Sequence, residues 1–372
     1  MSTKPVTPVN IAVILPPRER FRPADAGAVA LTVYDFVQAS RFRAHITVLG
    51  GEKEPFADVN YHAINSRWSR LLGLTAAYAR ACGAWLIEHK TDIVEVHNRL
   101  MLALHLKKCL PNALVFAHIH NDPHTMEGAK TAPQRRRLLQ NIDGVYCVSH
   151  YVKQRLLEGV DASVADKVHV VYNAVALVSE QITSEKQPWL VYAGRFVPEK
   201  GVLELAQALA EVLPQFPQWR AVFLGAKGFG HIAGRSEYEH QVYAALAQVA
   251  PQVEFRGHVP QAEVMTVLAQ SSITVVPSLC AEAFGRVALE AMLKANAVLV
   301  SRFGALPEIA GDAAVVLAEI NQMALAQQLN SLLADKQRIS EIATCCQQRA
   351  SNDFSLAKQV KVLDDIRQHY HA

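Results

Sequence analysis

Short apolar runs recur along the whole chain, each followed by a loop and then by a longer segment of helical spacing. The first half reads as strands at Asn10–Leu15, His45–Leu49, Asp92–His97, Ala113–His118 and Gly144–Val148. Helices are expected at Ala28–Ser40, Trp68–His89, Arg99–Cys109 and Arg135–Asn141, from apolar spacing and Ala/Leu content. Strands that alternate with helices pair in parallel, because a helix must carry the chain back between neighbouring strands. In such sheets ligands bind at the carboxyl ends of the strands, so the loops that follow strands are where chemistry is sought.

The series pauses at Val178–Pro188, a polar stretch without periodicity that reads as a linker. It then resumes with strands at Trp189–Ala193, Arg220–Leu224, Val253–Arg256 and Ile273–Val276, and helices at Val202–Leu213 and Glu237–Gln248. The 372 residues exceed the usual size of a single core. We therefore expect one domain over residues 1–183 and a second over 184–354. The amphipathic stretch Leu356–Tyr370 places Val360, Leu363 and Ile366 on one face. It is expected to form a helix, within about 355–372, that returns to the first domain. No internal sequence repeat relates the two halves.

Composition narrows the function. With 51% hydrophobic and 19% charged residues the chain can build ample cores. A net charge of +3 over this length gives no reason to expect nucleic acid. The six cysteines lack metal-site spacing and the density of a disulfide scaffold, and no segment has the length of a membrane span. A cytoplasmic protein with reduced thiols is expected. One basic run, Lys130 with Arg135, Arg136 and Arg137, offers anionic lipid or a phosphorylated acceptor a place to dock; the plainer reading is solvated surface.

Two stretches carry the most chemistry. Tyr192 to Gly201 sets Arg195 and Lys200 just beyond a strand and at a helix start. A guanidinium fork and a mobile ammonium there suit the negative charge of a leaving diphosphate. Surface ion pairing is the alternative. Pro277 to Met292 puts Glu282 in a loop, Gly285 at a helix start and Glu290 on that helix. Unpaired N–H groups at such a helix start favour a phosphate, and Glu290 could accept from two ribose hydroxyls. The alternatives are a loop-capping Glu282 and a solvated Glu290.

The pairing of Gly-Arg-x4-Lys-Gly with Glu-x7-Glu strongly resembles the retaining glycosyltransferases of family 4. Other landmarks of that family recur along nearly the whole chain: Val148-Ser149, Val171-Tyr172-Asn173, Val253 to Gly257, Pro277-Ser278 and Phe303 to Glu308. The resemblance implies an α/β chain of GT-B architecture, two Rossmann-like domains facing each other across a cleft. It implies a nucleotide-sugar donor with its diphosphate on Arg195 and Lys200, its ribose on Glu290 and its transferred sugar on Glu282. Phe284 and Gly285 would offer backbone amides, and the loop with Val259 would meet the base. His120 would lie near the reacting sugar and the acceptor. Gly27, alone where many members carry paired glycines, would allow close approach of donor phosphate or acceptor.

By the same resemblance the acceptor is a glycan or glycolipid, of bacterial lipopolysaccharide core or surface polysaccharide, with a peripheral contact at the inner membrane. No cofactor and no metal are expected, since the chain has no Asp-x-Asp motif. Two other classes compete on the residues alone. His118-x-His120-x-Asp122 resembles the opening of a dinuclear metal hydrolase motif, but Pro123 stands where its next His belongs and no later ligand cluster is evident. A sugar-nucleotide epimerase or a non-catalytic sugar-nucleotide binder would share the fold.

Overall fold

In the computed structural model, residues 9–64, 74–176, 186–227 and 236–371 are described. They divide into two compact units, Met1–Ala174 with Leu356–Ala372, and Val175–Ser355. The expected boundary at 183/184 and residues 68–73 of the expected helix Trp68–His89 lie outside the described residues.

The first unit holds β1 (Ile11–Ile14), β2 (Ile46–Gly50), β3 (Tyr61–Ala63), β4 (Ile93–His97), β5 (Leu114–Ile119), β6 (Gly144–Cys147) and β7 (Val168–Val170). They pair in parallel in the order β3-β2-β1-β4-β5-β6-β7. Helices α1 (Ala28–Ala39), α2 (Leu74–Glu88), α3 (Leu100–Cys109), α4 (Ala132–Asn141) and α5 (His150–Leu157) connect them. Burial on both faces explains the continuous apolar run of β1, and every residue of β4 is buried too, Glu95 and His97 included. Strand order reverses direction between β1 and β4, which opens a crevice beyond their carboxyl ends. The loops after these two strands therefore bound the natural ligand site of this unit.

The second unit repeats the plan with β8 (Gln187–Ala193), β9 (Arg220–Leu224), β10 (Val253–Gly257), β11 (Ser271–Val276), β12 (Ala297–Ser301) and β13 (Val315–Leu317). The parallel order is β10-β9-β8-β11-β12-β13, so its reversal lies between β8 and β11. Helices α6 (Val202–Val212), α7 (Glu237–Ala245), α8 (Gln261–Gln270), α9 (Arg286–Leu293), α10 (Leu306–Ala310), α11 (Gln322–Leu333) and α12 (Lys336–Asp353) belong to it. The core joins Leu190, Phe223, Ile273 and Leu299 of the sheet to Leu205, Leu209, Leu325 and Leu329 of α6 and α11.

Several expectations shift. Gln187 and Pro188, assigned to the linker, are the first residues of β8. The proline is tolerated because the pairing of β8 with β11 slips between Ser271 and Ile273, where a ladder hydrogen bond is not needed. The helix expected to reach Gln248 ends at Ala245, and a 3-10 stretch, Ala247–Gln252, carries the chain to β10 past Pro251. The basic run is not one surface. Arg135 is buried and donates to the carbonyls of Ala129, Lys130 and Glu158, while Arg136 pairs with Asp161 at 2.9 Å. Among the described residues no helix is long and apolar enough to cross a membrane.

The last helix, α13 (Leu356–His371), belongs to the first unit and is fixed there by buried charge. Arg367 donates to both carboxylate oxygens of Glu95, at 2.8 and 2.6 Å, and to Asp364 at 2.9 Å. Asp364 in turn accepts from the Ser40 hydroxyl and the Arg41 amide. Burial opposes the charge on Arg367, and the two carboxylates more than offset it, so its pKa stands above the ordinary value. Replacing Arg367 with Met strands two buried carboxylates and is expected to cost about 3–5 kcal/mol in urea unfolding. Lys361→Ala, which removes an exposed i,i+4 pair with Asp365, should cost no more than about 0.5 kcal/mol. Equal effects of the two substitutions would contradict this account of how α13 is held.

Candidate functional site

The reversal between β8 and β11 brings the two chemistry-bearing stretches of the second unit together. β8 runs into the loop that holds Arg195 and Lys200, and β11 into the loop that holds Glu282. Lys200 makes an ion pair with Glu282, whose same oxygen accepts from the Ser278 hydroxyl at 2.6 Å. Arg195 stands apart from that pair. Its guanidinium lies 3.4 Å from Glu199, both side chains being exposed, and its carbonyl accepts from the buried Tyr192 hydroxyl at 2.8 Å. The backbone of this loop is thus fixed while the cation at its tip stays in reach of a ligand.

Backbone packing holds these loops in place. Gly201 has φ 66°, and a Cβ there would stand 2.0 Å from the Pro277 carbonyl oxygen. The Glu199 carbonyl accepts from the amides of Leu279 and Cys280. On the far side Gly304, with φ 68°, lies against the backbone of Glu282, and a Cβ would come within 2.2 Å of its carbonyl oxygen. The Ala305 amide donates to that same oxygen at 2.8 Å. Only residues without a Cβ let three loops approach so closely. Burial first and then Glu282 push the thiol pKa of Cys280 in the middle loop up, which disfavours its thiolate.

Gly285 occupies the N-cap of α9 at φ 95°, ψ 57°. The Phe284 side chain turns inward, 3% exposed, edge-on to Phe354. Glu290 is the fifth residue of α9 and only 1% exposed, which excludes the solvated-surface alternative. It accepts from Arg286 and from Gln261, each at 2.7 Å. Gln261 opens α8 two residues after the half-buried Val259, with Pro260 between them as the N-cap. This hydrogen bond therefore draws the Val259 loop to the helix that carries Glu290. Gln261 gives no signal in the sequence, because it acts through a partner 29 residues away on another helix, and Ser278 is legible there only as a landmark, not as a partner of Glu282.

In the first unit the loops at the reversal between β1 and β4 carry Gly27 and Asn98. Gly27 is the N-cap of α1 in an extended conformation, φ −78°, so no left-handed backbone demands glycine. What crowds it is Glu19, whose carboxylate would stand 3.2 Å from a Cβ. Burial raises the pKa of Glu19, and a hydrogen bond from the Ala30 amide in the first turn of α1 works against that rise. A carboxylate of the chain itself thus sits at this helix start, where the sequence suggested room for a ligand.

His120 follows β5 directly. Its amide donates to the Asn98 side chain at 2.9 Å, and its Nε2 lies 2.8 Å from Nδ1 of His97. Burial lowers its pKa to about 3, so the ring is neutral across the physiological range. His118 is a strand residue, and His124 sits in a 3-10 turn beside Arg155. Asp122 pairs with Arg155 and caps His124, which removes it from any shared set with His118 and His120. His97, which precedes the motif in the sequence, joins the pair in a cluster of three imidazoles. The strand ends readable in the sequence were its signal, since β4 and β5 pair His97 with His118. A cleft of about 460 Å³ lies close by, lined by Arg18, Tyr78, Asn98, Arg99, Asn121 and Glu127.

The chain matches two family models. Residues 26–178 match Glycosyltransferase Family 4, and residues 177–351 match Glycosyl transferases group 1. The chain belongs to the family 4 glycosyltransferases. It is 24% identical over 297 residues to spore coat protein SA of Bacillus subtilis, covering 74% of this chain and 78% of that one. To the lipopolysaccharide 1,2-N-acetylglucosaminetransferase of Salmonella typhimurium it is 26% identical over 258 residues, 66% of this chain and 65% of that one. Among solved structures it superposes on Anabaena Alr3699/HepE, in complex with UDP-glucose, with TM-score 0.76, 18% identity and coverage of 97% and 99%. WaaG, a glycosyltransferase of lipopolysaccharide biosynthesis, gives TM-score 0.71 at 16% identity, covering 96% and 99%. The fold of this glycosyltransferase is accordingly GT-B, with two Rossmann-like domains.

The glycine contacts make a clean test. Gly304→Ala adds both left-handed strain and a collision with Glu282, whereas Gly257→Ala, at φ 67° with nothing within 4 Å of its Cβ, adds strain alone. Gly257→Ala should cost about 1–2 kcal/mol, and Gly304→Ala clearly more, with loss of donor-induced stabilisation. Thermal unfolding of both variants decides; equal costs would show that the Gly304 contact does not restrain Glu282.

Proposed function

We propose that this glycosyltransferase moves a hexose from a nucleotide-diphosphate sugar to an acceptor hydroxyl with retention of anomeric configuration. The observation that carries the proposal is the Lys200–Glu282 pair, set at the strand-order reversal of the second unit between loops locked by glycine contacts. Lys200 and Arg195 serve the diphosphate, Glu290 the ribose and Glu282 the transferred sugar. The amides of Phe284 and Gly285 add donors, and the Val259 loop meets the base. UDP and UDP-glucose in the HepE complexes support a nucleotide-sugar donor here.

The first unit is proposed to hold the acceptor, with His120 and the Gly27 loop nearest the reacting sugar. The bond between the sugar anomeric carbon and the diphosphate oxygen breaks, and the acceptor oxygen bonds that carbon from the same face. The departing diphosphate takes the proton of the acceptor hydroxyl. Lys200 and Arg195 stabilise the charge that gathers on the leaving group, which is worth most in a site that excludes water. A neutral His120 donates or accepts a hydrogen bond rather than supplying charge. With two cations available, transfer is proposed to need no divalent metal.

A lipopolysaccharide core or surface-polysaccharide acceptor is the reading we favour. It is supported by the Salmonella relative and by the Rhizobium leguminosarum lipopolysaccharide core biosynthesis mannosyltransferase LpcC, 31% identical over 144 residues, 38% of this chain and 40% of that one. Such an acceptor places the enzyme in the cytoplasm, in peripheral contact with the inner membrane.

Transfer assays with product analysis by NMR test the reaction. We expect the anomeric configuration of the donor in the product, full rate in chelator, and a fall of about 100-fold or more in kcat/KM for Lys200→Ala. Inverted product, activity restored only by a divalent ion, or unchanged transfer by Lys200→Ala and Glu282→Ala would each overturn its part of the proposal.

A further inference from the structure

We infer that His97, His118 and His120 form a transition-metal site in the first unit, and that an ion bound there withdraws His120 from transfer. The second clause rests on the proposed role of His120; the first does not.

One ring nitrogen from each histidine lies within 4.8 Å of the other two. The arrangement follows from the sheet. β4 and β5 pair His97 with His118 in register, and His120, two residues on, keeps to the same side. The ring centroids lie 4.6 Å apart for His97–His118, which are tilted, 4.6 Å for His118–His120 and 5.1 Å for His97–His120.

Without an ion the cluster is poorly satisfied. His97 and His120 share one hydrogen bond at 2.8 Å, while Nδ1 of the buried His118 has no partner. A buried polar atom left unpaired costs about 1–3 kcal/mol, and coordination would relieve it. Zinc–nitrogen bonds of about 2.0–2.1 Å in a tetrahedron need ligand nitrogens about 3.3 Å apart. The His97–His120 pair is already that close, so His118 has the larger adjustment to make by side-chain rotation.

Beside the cluster Glu95 and Asp364 offset the charge of Arg367, and Asp364 also accepts from the Ser40 hydroxyl and the Arg41 amide. A void of about 10 Å³, roughly one water, is lined by Glu95, His97, His118 and Arg367 together with Thr32 and apolar side chains of β1, α1 and α13, and His120 is not part of its wall. Three imidazoles with an open fourth position select Zn²⁺, Co²⁺, Ni²⁺ or Cu²⁺ over Mg²⁺ and Ca²⁺, which prefer oxygen. His97 and His118 are buried and His120 is half-buried, so entry is through His120. An ion there ties up the ring nitrogen that His120 would offer to sugar or acceptor.

Full-length protein stripped with chelator and then dialysed is titrated with Co²⁺, with no donor present. We expect visible d–d absorption of tetrahedral intensity that saturates at one equivalent and is bleached by Zn²⁺. His97→Asn and His118→Asn should each weaken Co²⁺ binding by at least about tenfold, with circular dichroism of the metal-free variants showing that they fold. If either does not fold, His120→Asn, at the half-buried end, carries the same test. Absence of these bands in large excess of Co²⁺, or bands that persist in the folded variants, would overturn the site.

The spectrum is independent of transfer, so its outcome and that of the glycosyltransferase reading are separate. In transfer assays, Zn²⁺ but not Mg²⁺ should inhibit the wild type reversibly, with inhibition weakened at least about tenfold in His118→Asn. Saturation of the Co²⁺ spectrum with undiminished transfer in Zn²⁺ would remove the inhibitory clause.

Discussion

Backbone lying directly on backbone at Gly201 and Gly304 is the constraint on which the second unit's site depends. Each contact is closer than any Cβ allows. Together they hold the loop after β11 between the loop after β8 and the turn before α10, and so fix Lys200 against Glu282. Side chains on a loose loop would need to be ordered at each encounter with a ligand, at a cost in conformational entropy. Here that ordering belongs to the fold, which is the condition for electrostatic stabilisation to act without reorganisation.

The first unit achieves rigidity by different means. Buried charge, not glycine, fixes α13 to β4, and the same Glu95–Arg367 pair borders the histidine cluster at the strand ends. A buried ion pair of this kind contributes register more than net stability, since desolvation offsets much of the attraction. Strand alternation puts His97 on the same side of the sheet as Glu95, beside the ion pair, and His97 in turn meets His120. Glu19, meanwhile, places the chain's own carboxylate at the start of α1. A ligand phosphate reaching Gly27 would have to displace that side chain.

Much of this is legible in the sequence because parallel strands buried on both faces leave unbroken apolar runs, and because charged residues cluster just beyond them. The runs Ile273–Val276 and Trp189–Ala193 are enough to locate the loops that carry Glu282 and Lys200. What escapes such a reading depends on contacts across long separations. Glu282 and Gly304 meet over 22 residues of chain, and Gln261 reaches Glu290 from a different helix. His97 joins the other histidines only through strand register. Arg135 resembles one more surface cation in a basic run, yet three carbonyls draw it inside. Polar composition misleads at Gln187 and Pro188, where a slipped register accepts residues that a regular strand would reject.

The central claim is that the loops around Lys200 and Glu290 bind a nucleotide-diphosphate sugar. It is tested most directly by thermal unfolding of the protein across a panel of uridine, adenosine and guanosine diphosphate sugars. A ligand that binds only the folded state stabilises by about 2.7 kcal/mol at a hundredfold excess over Kd. One base should raise the midpoint clearly above the others, and Lys200→Ala and Glu290→Gln should each diminish that rise. No stabilisation by any of the nucleotides, or an equal rise in both variants, would contradict the account.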